Sequence, residues 1–341
     1  MATAQVATTR RARARYPLLA GIGAALVAGV LIGLILTVVV APPGVAEPGS
    51  VVMVGLPLAR ALLDLAAVTT VGVSLLPELL GRDRPDRARP VLALGRSVTL
   101  ASSAIWFTAA VASLVLETAD LDVGQPLTLP AISDHVRQVA SGQALVFVAG
   151  AALGVLVVTL LAVPAELRIA VALLGLLPLP ATGHADSGTG WQDIDVIATA
   201  LHVLGAVAWT GGLLAVILLV AADRTLLSLA LPRYSRIATF CVFLTVATGM
   251  AAGWMQLYQT PGVHWYIALF TTGYGQILLL KGVCLSAAAL LGARTRFRLL
   301  PTIIAGKATT VITWATAELA FMGLAFGLAA VLVRAPVVTT S

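Results

Sequence analysis

Apolar residues run along this chain in long blocks instead of alternating with polar ones. Nine stretches, 17 to 40, 50 to 80, 96 to 116, 141 to 163, 165 to 182, 194 to 222, 235 to 258, 274 to 293 and 309 to 333, approach or exceed the roughly 20 apolar residues that a bilayer-crossing helix needs. Within hydrocarbon every backbone N–H and C=O must find an internal partner, and the period-two pattern of barrel strands is missing. The pattern therefore predicts an all-α, polytopic membrane helical bundle of about nine transmembrane helices. The first stretch follows Arg10, Arg11, Arg13 and Arg15 and is longer than a signal-peptide core, so it reads as a retained anchor. About four helices are expected over 1–164 and about five over 165–341. Between the third and fourth spans, the Leu-Pro-Ala-Ile-Ser-Asp run from Leu129 reads as the start of a short interfacial helix.

Composition agrees with this solvent. Of 341 residues 59% are hydrophobic and 11% charged, with mean hydropathy +1.00, against about 25% charged in a soluble domain. A net charge of +6 and a pI near 9.9 would suggest nucleic acid in a soluble protein, but the basic residues sit between apolar spans, so the partner is the lipid bilayer and not nucleic acid. With the N-terminus in the cytoplasm, every Lys and Arg falls on the cytoplasmic side except Arg60 and Lys281, inside spans, and Arg137 and Arg334, as the positive-inside rule requires. The outer loops then carry Glu47, Glu117, Asp120, Asp122, Asp134, Asp186, Asp193 and Asp195, together with His135, His184 and His264. Cys241 and Cys284 lie in spans without Cys-x-x-Cys spacing, so they read as buried apolar residues.

Ionisable residues at membrane depth cost at least a few kcal/mol each and call for a reason. Arg60 and Asp64 are spaced i, i+4, close enough to pair. His202, Gly205, Trp209 and Gly212 follow a 3-4-3 spacing that lines one helical face. His202 lies about 12 Å into its span, at 1.5 Å per residue, as a packing histidine or a ligand. Gly205, Gly211 and Gly212, with Gly249 and Gly253 in the next span, suit close helix packing. Met250 and Met255 lie near the outer end of that span; thioethers suit Cu(I) and also fill cores. Lys281 and Glu318 occupy the last two spans, with Met322 one turn beyond Glu318, either as charges that compensate each other or as groups on an ion path.

From about residue 178 to 335, these landmarks resemble the CopD (copper resistance D) family of bacterial inner-membrane copper-handling proteins. The similarity rests on Thr-Gly-His-Ala at 182–185, Trp-Thr-Gly-Gly from Trp209, Arg-Tyr-Ser-Arg at 233–236, Tyr-Gly-Gln-Ile-Leu-Leu-Leu-Lys at 274–281, Leu-Gly-Ala-Arg-Thr-Arg-Phe-Arg-Leu-Leu-Pro from Leu291, and Glu318. The resemblance implies copper transport or homeostasis at the bacterial cytoplasmic membrane. Partners would be a periplasmic copper chaperone or a cytochrome oxidase assembly module; some relatives are fused to one of the CtaG type. The candidate metal ligands are His184, His202, Met250, Met255 and His264, all at or near the outer ends of the sixth and seventh spans or in neighbouring loops, and imidazole and thioether suit copper, as Cu(I) or Cu(II), better than magnesium or calcium. Two other functions stand beside this one: a b-type electron carrier binding haem through axial histidines, and an oxidase assembly factor. No hydrolytic or redox motif marks an enzyme, and no P-loop or phosphorylation-site Asp motif marks an ATP-driven pump.

Overall fold

In a computed structural model, the described residues are 20–37, 49–81, 83–121, 125–179, 192–258, 262–304 and 311–332. They form α1 (Ala20–Leu36), α2 (Ser50–Ser74), α3 (Leu76–Leu80), α4 (Pro85–Leu121), α5 (Leu129–Gln138), α6 (Ala140–Leu160), α7 (Ala165–Leu174), α8 (Gln192–Ala215), α9 (Arg224–Tyr258), α10 (Trp265–Thr271), α11 (Gly273–Arg294), α12 (Leu300–Ile304) and α13 (Val311–Leu332). α8 and α11 each end in a π-helical turn, over Val216–Val220 and Thr295–Leu299. Among the described residues there is no strand, and the chain is a polytopic membrane helical bundle.

Among the described residues, seven helical stretches are long and apolar enough to cross a membrane: Ser50–Leu80, Pro85–Leu121, Ala140–Leu160, Ile194–Val220, Arg224–Tyr258, Gly273–Ile303 and Val311–Leu332. The other two predicted spans coincide with shorter helices, α1 and α7. α7 ends at Leu174 with Gly175 as its cap, and Pro178, which has no N–H to donate, follows three residues after the cap. α4 and α9 begin well before their predicted spans, at Pro85 and Arg224, and continue through Pro90 and Pro232; the Arg side chains of these segments extend toward the interface. Asp223 caps α9 by accepting the N–H groups of Thr225 and Leu226. The expected interfacial helix is α5, opened by the Thr128 hydroxyl accepting the Ala131 N–H.

α2 packs against α4 and α8, α4 also against α6, α8 against α9, and α11 against α13, which in turn touches α2 and α8. The contacts are close because the residues are small. A Cβ on Gly211 would lie 2.2 Å from the Val68 carbonyl oxygen, and one on Gly72 would lie 2.0 Å from the Gly211 oxygen, so α2 and α8 touch backbone to backbone. α1 runs parallel to α13 in the same manner, Gly29 and Gly327 leaving room for each other's helix. The Gly-x-x-x-Gly spacings at 29–33 and 323–327 carry this second crossing.

Basic residues gather at one end of the bundle and hold it together there. Arg233 reaches the carbonyls of Leu79 and Leu80 and the Asp83 carboxylate. Arg96 donates to the carbonyls of Thr159 and Leu160, and Arg87 pairs with Asp223 at 3.5 Å. Gly211→Val forces α2 and α8 apart and is expected to lower the detergent-state Tm by roughly 5 °C or more. Gly150→Val, at a position with nothing within 4 Å of a new Cβ, should leave Tm unchanged. Equal Tm for the two variants in a thermal-shift assay would refute the crossing.

A polar cavity inside the bundle

Away from the basic end, α2, α8, α9, α11 and α13 enclose a cavity of about 230 Å³. Its wall holds four of the five ionisable residues that the sequence puts at membrane depth, Arg60 and Asp64 from α2, His202 from α8 and Lys281 from α11, and adds Asp195 from α8. These residues come from three helices that are distant in the chain, and the cavity lets each keep polar company that lipid would deny it.

Arg60 does not take its i+4 neighbour as its closest partner; it forms a salt bridge with Glu117 of α4. Glu117 therefore belongs to a helix and faces the protein, not an outer loop. Asp64 is left between the positive charges of Arg60 and Lys281 and interacts electrostatically with both. Asp195, also expected in an outer loop, is in the first turns of α8 and only 5% exposed. The compensation expected between Lys281 and Glu318 is not a contact; Lys281 shares the cavity with Asp64, whereas Glu318 accepts the Trp209 indole N–H at 3.1 Å.

His202 is held in one protonation pattern. Its Nδ1 lies 2.8 Å from the Thr245 carbonyl oxygen, and a carbonyl only accepts, so Nδ1 carries the proton and Nε2 the lone pair. Among the described residues no donor occupies Nε2. A Cβ on Gly249 would lie 2.7 Å from the ring, so this glycine makes the seat in which the imidazole lies. Gly205 brings α8 to within a Cβ's width of Thr245, whose hydroxyl is buried in the cavity wall without a partner. Gly212 faces the Tyr234 ring, and Gly253 faces Leu278.

The other predicted ligands are dispersed. Met250 is 71% exposed on the outer face of α9, Met255 is half-buried near the end of that helix, and His264 is exposed at the head of α10, stacked on Tyr266. His184, with the Thr-Gly-His-Ala landmark, lies outside the described residues. Among the described residues no three His, Cys, Asp or Glu side chains converge to hold a metal. His135, expected at the exterior, is buried and satisfied, with Thr118 on Nδ1 at 2.8 Å and Ser141 on Nε2 at 3.2 Å; it ties α5 to α4 and α6.

Two cavity residues escaped the sequence reading as functional candidates. Asp195 sits at a span boundary, where hydropathy assigns it to a loop. Met322 is 3% exposed and lines the cavity; its signal is the i+4 spacing from Glu318.

Residues 228–332 match the family described as Copper resistance protein D, and residues 50–194 match the Copper resistance protein D-like, N-terminal domain. Neither the curated proteins nor the solved structures include a match to the chain.

Replacing Glu117 by Gln removes the charge facing Arg60 in a half-dry site and is expected to cost about 3 kcal/mol or more. Arg60→Gln combined with it should recover a substantial part, because the two losses report one interaction. Strictly additive losses in a double-mutant cycle of detergent-state unfolding would show that the groups do not act as a pair.

Proposed function

The chain belongs to the copper resistance protein D family, and on that footing we propose that its internal cavity receives a copper ion from the exterior and passes it across the cytoplasmic membrane, with His202 as the first ligand. The observation that carries this is the imidazole geometry. With Nδ1–H committed to the Thr245 carbonyl, Nε2 offers its lone pair in a cavity that also contains the Met322 thioether and the carboxylates of Asp64 and Asp195. An orienting hydrogen bond on the second ring nitrogen is the usual support for a ligating histidine. Imidazole and thioether donors favour Cu(I), and the carboxylates compensate its charge in a medium that penalises an unpaired ion.

His264 and Met255 lie at the end of the bundle away from the basic residues, and with His184 they form the proposed entry ligands. Met250 is left out because its side chain lies on the outer face. The positive-inside rule assigns the basic end to the cytoplasm. A monovalent cation crossing the whole membrane toward that end gains about 2.3 kcal/mol per 100 mV of inside-negative potential, which supports import without a nucleotide site. A periplasmic copper chaperone would supply the ion, and a cytochrome oxidase assembly module is one acceptor for it.

Copper and iron content by elemental mass spectrometry, on detergent-purified protein exposed to Cu(I) and desalted, tests this proposal. Wild type should retain near-stoichiometric copper, and His202→Ala should lose most of it. Iron in place of copper would favour the haem carrier, and neither metal would favour an assembly factor.

A further inference from the structure

Below the polar cavity, toward the basic end, lies a second cavity of about 330 Å³ between α8, α9, α11 and α13. Trp209 belongs to the walls of both. Its side chain is 2% exposed, its indole N–H donates to Glu318 Oε1 at 3.1 Å, and its own carbonyl accepts the Tyr234 hydroxyl at 3.0 Å. Trp209 is thus fastened at both its side chain and its backbone, between the two cavities.

Glu318 and Met322, one turn apart on α13, face different chambers: Met322 lines the outer cavity and Glu318 the inner one. Gly292 provides the space for this carboxylate, since a Cβ there would lie 2.9 Å from Oε1. Among the described residues Glu318 has no salt-bridge partner, and Oε2 receives no hydrogen bond. The inner wall also holds the Thr295 hydroxyl, which is 93% buried by residue and has no partner. A buried carboxyl with one neutral donor, in the same cavity wall as an unsatisfied hydroxyl, is a place that a cation completes. On the cytoplasmic side, the Arg296 guanidinium stands in the chamber wall, donating to the Ser235 carbonyl and the Thr239 hydroxyl, one turn apart on α9.

The geometry points to a second cation site in the inner chamber, centred on Glu318, and to Trp209 as the barrier that separates it from the outer cavity. The cation leaves the outer cavity at Met322, takes over the Glu318 oxygen that the indole N–H occupies, and is held in the inner chamber until Arg296 moves away. No covalent bond changes. The inference depends on the proposed function only for the identity of the cargo, a soft monovalent cation; the barrier itself is a property of the two cavities.

The barrier is tested without copper. In the full chain with Cys241 and Cys284 replaced by Ser, a cysteine is introduced at Ala293, on the inner-chamber wall. The reconstituted protein is then treated from the exterior with a small cationic methanethiosulfonate reagent. Trp209→Ala should raise the labelling rate at least about tenfold, as removal of a hydrophobic constriction does. Trp209→Phe, which keeps a ring, serves if truncation destabilises the protein. Labelling unchanged by either substitution, at whatever level, overturns the barrier.

The site is tested with Cu(I) itself, by comparing copper bound in detergent with copper flux into proteoliposomes. Glu318→Gln should retain His202-dependent binding in the outer cavity and lose at least about tenfold in flux, equivalent to roughly 1.4 kcal/mol at the barrier. Wild-type flux in this variant overturns the inner site. Wild-type protein that binds no copper defeats the proposed function instead, and the labelling experiment still decides whether Trp209 separates the chambers.

Discussion

Backbone contact between α2 and α8 at Gly72 and Gly211 is the constraint on which the rest of the interior depends. Two helices that touch without side chains between them hold their axes as close as helices can come. Toward the opposite end the space between them is wide enough for Arg60, Asp64, Asp195 and His202 to face a common volume. A side chain at either glycine would separate the helices along their whole length. The cavity is thus made by a close crossing at one level that leaves a gap at another, with α9, α11 and α13 closing the sides.

The charges inside follow from that gap. A lone ion in hydrocarbon is too costly to keep, and a buried pair is only neutral at best against apolar packing. Arg60 and Glu117 compensate each other across α2 and α4, and Asp64 lies between Arg60 and Lys281. A helix bundle needing only stability would fill this volume with Leu and Val. Retaining ionisable groups there sacrifices packing energy for a space in which an ion can be met by opposite charge and by donors of the right softness.

Aromatic and imidazole groups are each held by a hydrogen bond that leaves one face or atom open. His202 donates its Nδ1–H to the Thr245 carbonyl and keeps a lone pair on Nε2; Trp209 donates its indole N–H to Glu318 and fills the space between two chambers. Glycines on facing helices make room for the groups involved: Gly249 for the His202 ring, and Gly292 for the Glu318 carboxyl that accepts the indole N–H. The same residue type thus does three things in this bundle: it brings helices together, it accommodates an imidazole, and it accommodates a carboxylate.

The sequence by itself determined the solvent, the helical class and the list of costly residues, because hydropathy over 20 residues is a local sum and a charge within such a run is visible wherever the helix ends up. It also marked the stripe from His202 to Gly212, since helical periodicity is local. Partners were decided only by the tertiary structure. Arg60 meets Glu117 in addition to its i+4 neighbour, Lys281 meets Asp64 and not Glu318, and Met250 turns outward while Met322 turns in. Such choices depend on how each helix is rotated about its axis and on which helices are neighbours. Both are set by small-residue crossings between segments up to 300 residues apart, such as Gly29 with Gly327, and no local pattern encodes them.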